Sequence, residues 1–178
     1  MLNSQNLLVA ALMCVVAPSV SAQDITLPLR ETPRPRTTDG VPHIQLGIQG
    51  NPDLSAELTR RVAKFPGVIV GAPRVSLPGA VGFQLTDDIP LARPEVIVGG
   101  KEFAHVYPDG SLHASLNPEV ARTAVETGWA ISHPWASQRA GWEGFVMIYT
   151  PISEDELEVV FRLLQSSYTY VTGQSLVD

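Results

Sequence analysis

Cysteine is almost missing from this chain: Cys14 is the only one in 178 residues. It lies in the apolar run Leu7 to Val16, within a stretch that has no Asp, Glu, Lys or Arg before Asp24. Such a run is about half of the roughly 20 residues needed to cross a bilayer. Pro18 breaks it, and Val20-Ser21-Ala22 supplies the small residues of a signal-peptidase site. A cleavable signal peptide over residues 1–22 is therefore expected, with a retained membrane anchor as the competing reading. Met13 stands where a lipoprotein signal needs a small residue, which argues against lipid attachment at Cys14. Cleavage after Ala22 removes the only thiol, so the mature chain cannot form an internal disulfide and must be stabilised by burial.

Other absences narrow the chemistry. There is no G-x-S-x-G elbow, phosphate-binding loop, H-E-x-x-H or dinucleotide fingerprint. The net charge of −6 disfavours nucleic acid or an anionic membrane as the main partner. Losing the first 22 of 178 residues leaves 156, a single-domain length, and 17% charged with 44% apolar residues suits a folded globule.

Residues 23–42 contain Pro28, Pro33, Pro35 and Pro42 with little hydrophobic pattern, and read as an extended arm preceding a domain at 43–178. Asn51-Pro52-Asp53 marks a helix start, with Leu54, Leu58, Val62 and Phe65 at helical spacing before Pro66-Gly67. Candidate strands follow at 68–70, 74–77, 80–85, 95–98, 101–107 and 111–116, separated by Pro and Gly turns. Asn117-Pro118-Glu119 opens a second helix that Gly128 closes. An irregular aromatic stretch leads to a strand at 145–150. Ser153 and Glu156 then make a capping box for a last helix with Leu157, Val160, Phe161, Leu164 and Tyr168 on one face. Closely spaced strands without intervening helices give an α+β class: an antiparallel sheet with helices mainly on one face.

The turn Tyr107-Pro108-Asp109-Gly110-Ser111 is the most informative segment. A three-residue loop with Gly110 in the left-handed position makes Tyr107 face Ser111, Val106 face Leu112, and His105 face His113. One face of the hairpin then holds Ala104, Val106, Leu112, Ala114 and Leu116. The other holds Phe103, His105, Tyr107, Ser111, His113 and Ser115. Two imidazoles opposite each other across a ladder have Cβ atoms about 5 Å apart, which suits convergence on one ligand or metal. His133, between Trp129 and Trp135 and stiffened by Pro134, is the third candidate. The three histidines can hold a divalent metal, or, metal-free, take a proton from a phenol or enol. Tyr107, Ser111 and Ser115 are candidate orienting groups, and Trp129 and Trp135 (with Trp142) candidate stacking surfaces. Simple packing is the competing account of the tryptophans. The remaining histidine, His43, reads as a surface or hinge residue.

KEFAHVYPDGSLHASL, then GWAISHPW, then GFVMIYTPISEDELEVVFRLLQSSYTYV resemble the luciferase-like domain family, which includes the fungal luciferases. The resemblance is good over about residues 99–171 and loose from His43 to Leu85. It implies oxygenation of a hydroxylated styryl-pyrone by O2 with no required cofactor, and it implies His105, His113 and His133 as site residues. The fungal proteins have a membrane-anchoring N-terminus and a different turn, so fold resemblance does not carry the reaction over. Three expectations stand side by side: an exported oxygenase of a phenolic or pyrone-like compound, a non-catalytic periplasmic or secreted module holding a metal or small aromatic ligand, and an interaction domain using the Pro-rich arm.

Overall fold

The structure, a computed structural model, describes residues 25–176, so the signal-peptide reading lies outside it. Two short strands, β1 (Arg36–Thr37) and β2 (Gln45–Leu46), form a small hairpin. Helix α1 (Pro52–Val62) leads to β3 (Val68–Gly71), β4 (Val81–Leu85), β5 (Glu102–Val106) and β6 (Leu112–Ser115). Helix α2 (Pro118–Glu126), β7 (Ala130–Ser132), β8 (Phe145–Ile148) and α3 (Glu154–Thr172) complete the chain. The main sheet is antiparallel throughout, in the order β3-β4-β5-β6-β8-β7. The class is α+β, as the strand spacing predicts. No helix among the described residues is long and apolar enough to cross a membrane.

Local chemistry explains the helix starts. Asn51 Oδ1 accepts from Asp53 N–H and Asn117 Oδ1 from Glu119 N–H, both at 2.9 Å, with Pro at the first helical position each time. Ser153 Oγ accepts from Glu156 N–H at 3.2 Å, but the Glu156 side chain does not return to Ser153. It binds Ile152 N–H and Arg30 instead, so only half of the expected capping box forms. The expected strands at 74–77 and 95–98 are absent. Prolines at 73 and 78 hold the first as a loop, and Pro94 opens a short 3-10 helix over Pro94–Val96 in place of the second. Strand β7 falls in the stretch expected to be irregular; only three residues long at the sheet edge, it carries no alternation to read.

The two faces of the sheet divide the work. Ala104, Val106, Leu112, Ala114, Val146 and Ile148 point toward the helices and join Leu58, Leu157 and Leu164 in one core. On the opposite face β5, β6 and β8 present His105, Tyr107, His113, Phe145 and Met147, covered by loops rather than helices.

The Pro-rich arm lies along the domain. Leu27 enters the core, and Trp129 Nε1 donates to the Pro28 carbonyl at 2.7 Å. Arg30 Nη2 donates to the Thr150 carbonyl at 3.0 Å and to Glu156 Oε2 at 2.9 Å, and both charged side chains are nearly buried. Two bonds between the Gln45 amide and Thr150 then seat the small hairpin on the end of β8.

Burial pushes the Glu156 carboxyl up, but Arg30, Thr32 and Ile152 N–H together outweigh it and leave the carboxyl below its usual value. The pair therefore stabilises the fold fully above the ordinary carboxylate value, and that contribution is lost as pH falls through the lower folded value. Glu156→Ala strands the Arg30 charge in a buried place and is expected to cost about 3–5 kcal/mol in urea unfolding. A loss under about 1 kcal/mol would mean that the arm simply detaches.

Candidate functional site

The register that builds the site is the expected one. Tyr107 N–H donates to the Ser111 carbonyl at 2.8 Å, and His105 pairs with His113 across the ladder, their rings 5.1 Å apart. His133 follows β7, and its N–H donates to the Phe145 carbonyl at 3.0 Å. That places its ring 4.7 Å from His113 and 4.4 Å from Phe145. The three predicted histidines thus meet on one face.

The fourth histidine corrects the sequence reading. His43 is neither surface nor hinge: it is 2% exposed, its ring stacked 5.5 Å from His113 and set edge-on 5.0 Å from His133. The small hairpin carries it there. Residues 43 and 45 alternate inward, His43 into the site and Gln45 onto Thr150. The only sequence signal was that two-residue spacing of polar groups after Pro42, too short to separate from a loop.

A second missed residue is Glu102. The β4–β5 pairing slips between Phe83 and Gln84, leaving Phe103 as an extra residue in a bulge. Phe103 therefore turns to the helix side, 6.2 Å from the ring of Phe83 and 5.9 Å from that of Tyr168, instead of sharing the face of His105 as strict alternation predicts. The bulge brings Glu102 onto that face, where its Oε1 lies 2.8 Å from His105 Nδ1.

A cavity of about 290 Å³ opens against these residues. All four histidines, Glu102, Tyr107, Ser115 and Trp135 line it, with Val41, Val75, Leu77, Val98 and Phe145 making most of the rest apolar. Ser115 is already engaged, its Oγ donating to the Val96 carbonyl at 2.8 Å. Ser111 and Trp129 lie away from the cavity, contrary to expectation. Ser111 turns back to Asp109 Oδ1 at 2.7 Å, and Trp129 packs in the core beneath Arg30. Trp142 packs on Trp135 with rings 6.1 Å apart.

Electrostatics follow from burial. It holds His43, His113 and His133 below the usual imidazole range, His133 at about 4, and neighbouring imidazoles add to the effect at His113 and His133. These three rings are therefore neutral at neutral pH. Burial also raises the Tyr107 hydroxyl, which stands 3.4 Å from His113 Nδ1. His43 Nδ1, His105 Nε2, His113 Nε2 and Ser76 Oγ are buried without a hydrogen-bond partner. Unpaired buried polar atoms are costly, and their gathering at one cavity points to a bound group.

The metal question has a specific answer in geometry. His43, His113 and His133 can offer ligand atoms within 4.8 Å of one another, while His105 falls outside that set. The expected metal trio of His105, His113 and His133 is thus replaced by one containing His43. Two of its nitrogens, His43 Nδ1 and His113 Nε2, are free to ligate. His133 is less ready: Trp135 N–H donates to its Nδ1 at 3.0 Å, which places the ring proton of the neutral form on Nε2. Ligation through Nε2 would have to displace that proton and break the Trp135 contact.

An α+β domain with a histidine-lined cavity on the helix-free face of its sheet is the class that fold and site define. Residues 100–167 match the family model described as luciferase domain. Over 168 residues the chain is 28% identical to a luciferase of Armillaria mellea, covering 83% of this chain and 62% of that protein. A luciferase of Armillaria gallica is 27% identical over 166 residues with the same coverage, and one of Armillaria ostoyae is 35% identical over 79 residues, 41% of this chain and 29% of that one. Residues 100–167 are thus similar to a luciferase domain, and the chain spans 62% of the length of the first two relatives. No solved structure matches it significantly. The matched family segment contains His105, His113, His133 and Glu102, whereas His43 lies ahead of it.

Because the folded values of the three histidines are depressed, the unfolded chain binds protons first as pH falls. Their contribution to stability is whole above about 6.5 and declines below it, toward about 4 for His133. Each adds up to about 1.4 kcal/mol per pH unit to the slope. Urea unfolding from pH 7 to pH 4 is expected to show this decline, and His113→Phe to flatten it; equal slopes in the two proteins would show that His113 does not stay neutral.

Proposed function

We propose that this chain is an exported luciferase-like protein that takes a flat phenolic or pyrone-like molecule into the histidine cavity and removes a hydroxyl proton from it. The observation that carries this reading is the set of unpartnered imidazole nitrogens facing a largely apolar cavity. A ligand O–H supplies the donor that His105 Nε2 lacks, and Trp135 and Phe145 offer ring surfaces to a planar body. The proton passes to His105 Nε2 and the electron pair stays on the ligand oxygen. A carbon of the electron-rich ring so formed bonds to O2, which takes up the electron pair as a peroxide, and the outer peroxide oxygen receives the proton from His105; the resemblance to the fungal luciferases favours O2 as the oxidant.

Mature protein supplied with a hydroxylated styryl-pyrone in air should consume O2 in step with the pyrone. His105→Ala should slow this about 100-fold or more. Unchanged turnover in that variant would remove His105 from the chemistry. Binding of the pyrone without O2 uptake would instead mark a non-catalytic binding module.

The spacing of His43, His113 and His133 favours a second reading, a module holding a divalent metal. Elemental analysis of untagged protein would then show stoichiometric zinc that His43→Ala loses; protein without metal that still turns over the pyrone decides against it. Export has its own check. The N-terminus of protein recovered outside the cytoplasm should be Gln23, and an intact Met1 there would oppose cleavage.

A further inference from the structure

Resting on that reading of His105 as the proton acceptor, we infer that Glu102 is the positioning residue that makes it one, by fixing which ring nitrogen carries the proton. Glu102 is not separated from His105 by a turn of helix or by a neighbouring strand. It lies three residues earlier on the same strand, and ordinary alternation would put it on the other face. The bulge at Phe103 cancels that alternation and sets the carboxylate beside the imidazole.

The carboxylate is itself held at both ends. Oε2 accepts Arg74 N–H at 2.6 Å, and Oε1 meets His105 Nδ1 at 2.8 Å. Its resting place is over Gly82, where a Cβ would come within 2.8 Å of Oε2. Both side chains are 6% exposed, so water does not compete for the contact. A carboxylate accepts, so Nδ1 must donate. In the neutral ring Nε2 is then the bare lone pair, and it is one of the buried nitrogens without a partner at the cavity. Trp135 N–H does the opposite to His133 by donating to Nδ1 and leaving the proton on Nε2. The two rings are thus preset in opposite tautomers, one to accept and one to donate.

Glu102→Gln separates this role from mere packing. Arg74 N–H still needs an acceptor, so the amide oxygen takes the Oε2 position and the amide NH2 faces His105 Nδ1. Nδ1 must then accept, and the ring proton moves to Nε2. Nitrogen NMR of 15N-histidine-labelled protein, with His105 assigned by its loss in His105→Asn, should show the proton on Nδ1 in the wild type and on Nε2 in Glu102→Gln. Glu102→Asp, which keeps the carboxylate, should retain the wild-type tautomer. With the hydroxylated styryl-pyrone and O2, Glu102→Gln should lower kcat about 10- to 100-fold with little change in KM, and Glu102→Asp should recover part of the loss. A wild-type tautomer in Glu102→Gln overturns the inference, and so does a moved proton with unchanged kcat. If the wild type does not turn over the pyrone, the oxygenase reading fails, but the tautomer measurement still decides the role of Glu102.

Discussion

The site depends on the register of β5 against β6, and that register depends on one turn. Pro108, Asp109 and Gly110 close a three-residue loop in which Gly110 adopts φ of 84° and its N–H donates to the Tyr107 carbonyl at 2.9 Å. Pairing then proceeds Val106 with Leu112, His105 with His113 and Ala104 with Ala114. A slip by one residue would exchange the faces, placing imidazoles among Leu58 and Leu164 and small apolar residues in the cavity. The burial of Leu112 and Ala114 on the helix side opposes that slip, because the whole apolar set would have to leave the core with it. The hydrophobic core therefore positions the polar site, although none of the four histidines belongs to it.

That separation also accounts for how the fold tolerates so many unpaired polar atoms. Neutral imidazoles stacked within about 5 Å, several lacking partners, are a liability that a marginally stable protein can carry only if other parts compensate. Compensation is visible on the helix side, in a core shared by all three helices, and along the arm, where Arg30 reaches Glu156 and Thr150. The missing partners gather where a ligand would supply them.

The sequence made some of this legible for definite reasons. Helix starts were readable because Asn-Pro signals act through local hydrogen bonds, and the His105–His113 pairing was readable because a short turn determines it. What was lost needed information from far along the chain. A bulge between Phe83 and Gln84 is a property of two strands, so neither the inward turn of Phe103 nor the arrival of Glu102 beside His105 could be seen in β5 alone. His43 was read as peripheral because its burial depends on Gln45 binding Thr150 at the far end of the chain. Ser111 and Trp129 were assigned by strand face and residue type, and each was drawn away by a nearer partner, Asp109 in one case and the Pro28 carbonyl in the other.

The arrangement of His43 bears on how the two chemical readings relate. The matched luciferase segment holds the dyad of Glu102 and His105 together with His113 and His133, whereas His43 reaches the cavity on a hairpin that precedes it. The proton-transfer reading needs only residues inside the segment. The metal reading needs His43 as well, and it also needs His133 to give up its contact with Trp135 N–H. With His43 unprotonated, its Nδ1 and the adjacent His113 Nε2 are two more polar atoms without partners beside the cavity. In the metal-free reading His43 closes one wall and keeps water from the rings it stacks on, which preserves the low dielectric that holds His113 and His133 neutral. The hairpin that supplies it is seated by the same Thr150 that Arg30 binds, so the Pro-rich arm contributes to the site through the wall it holds in place.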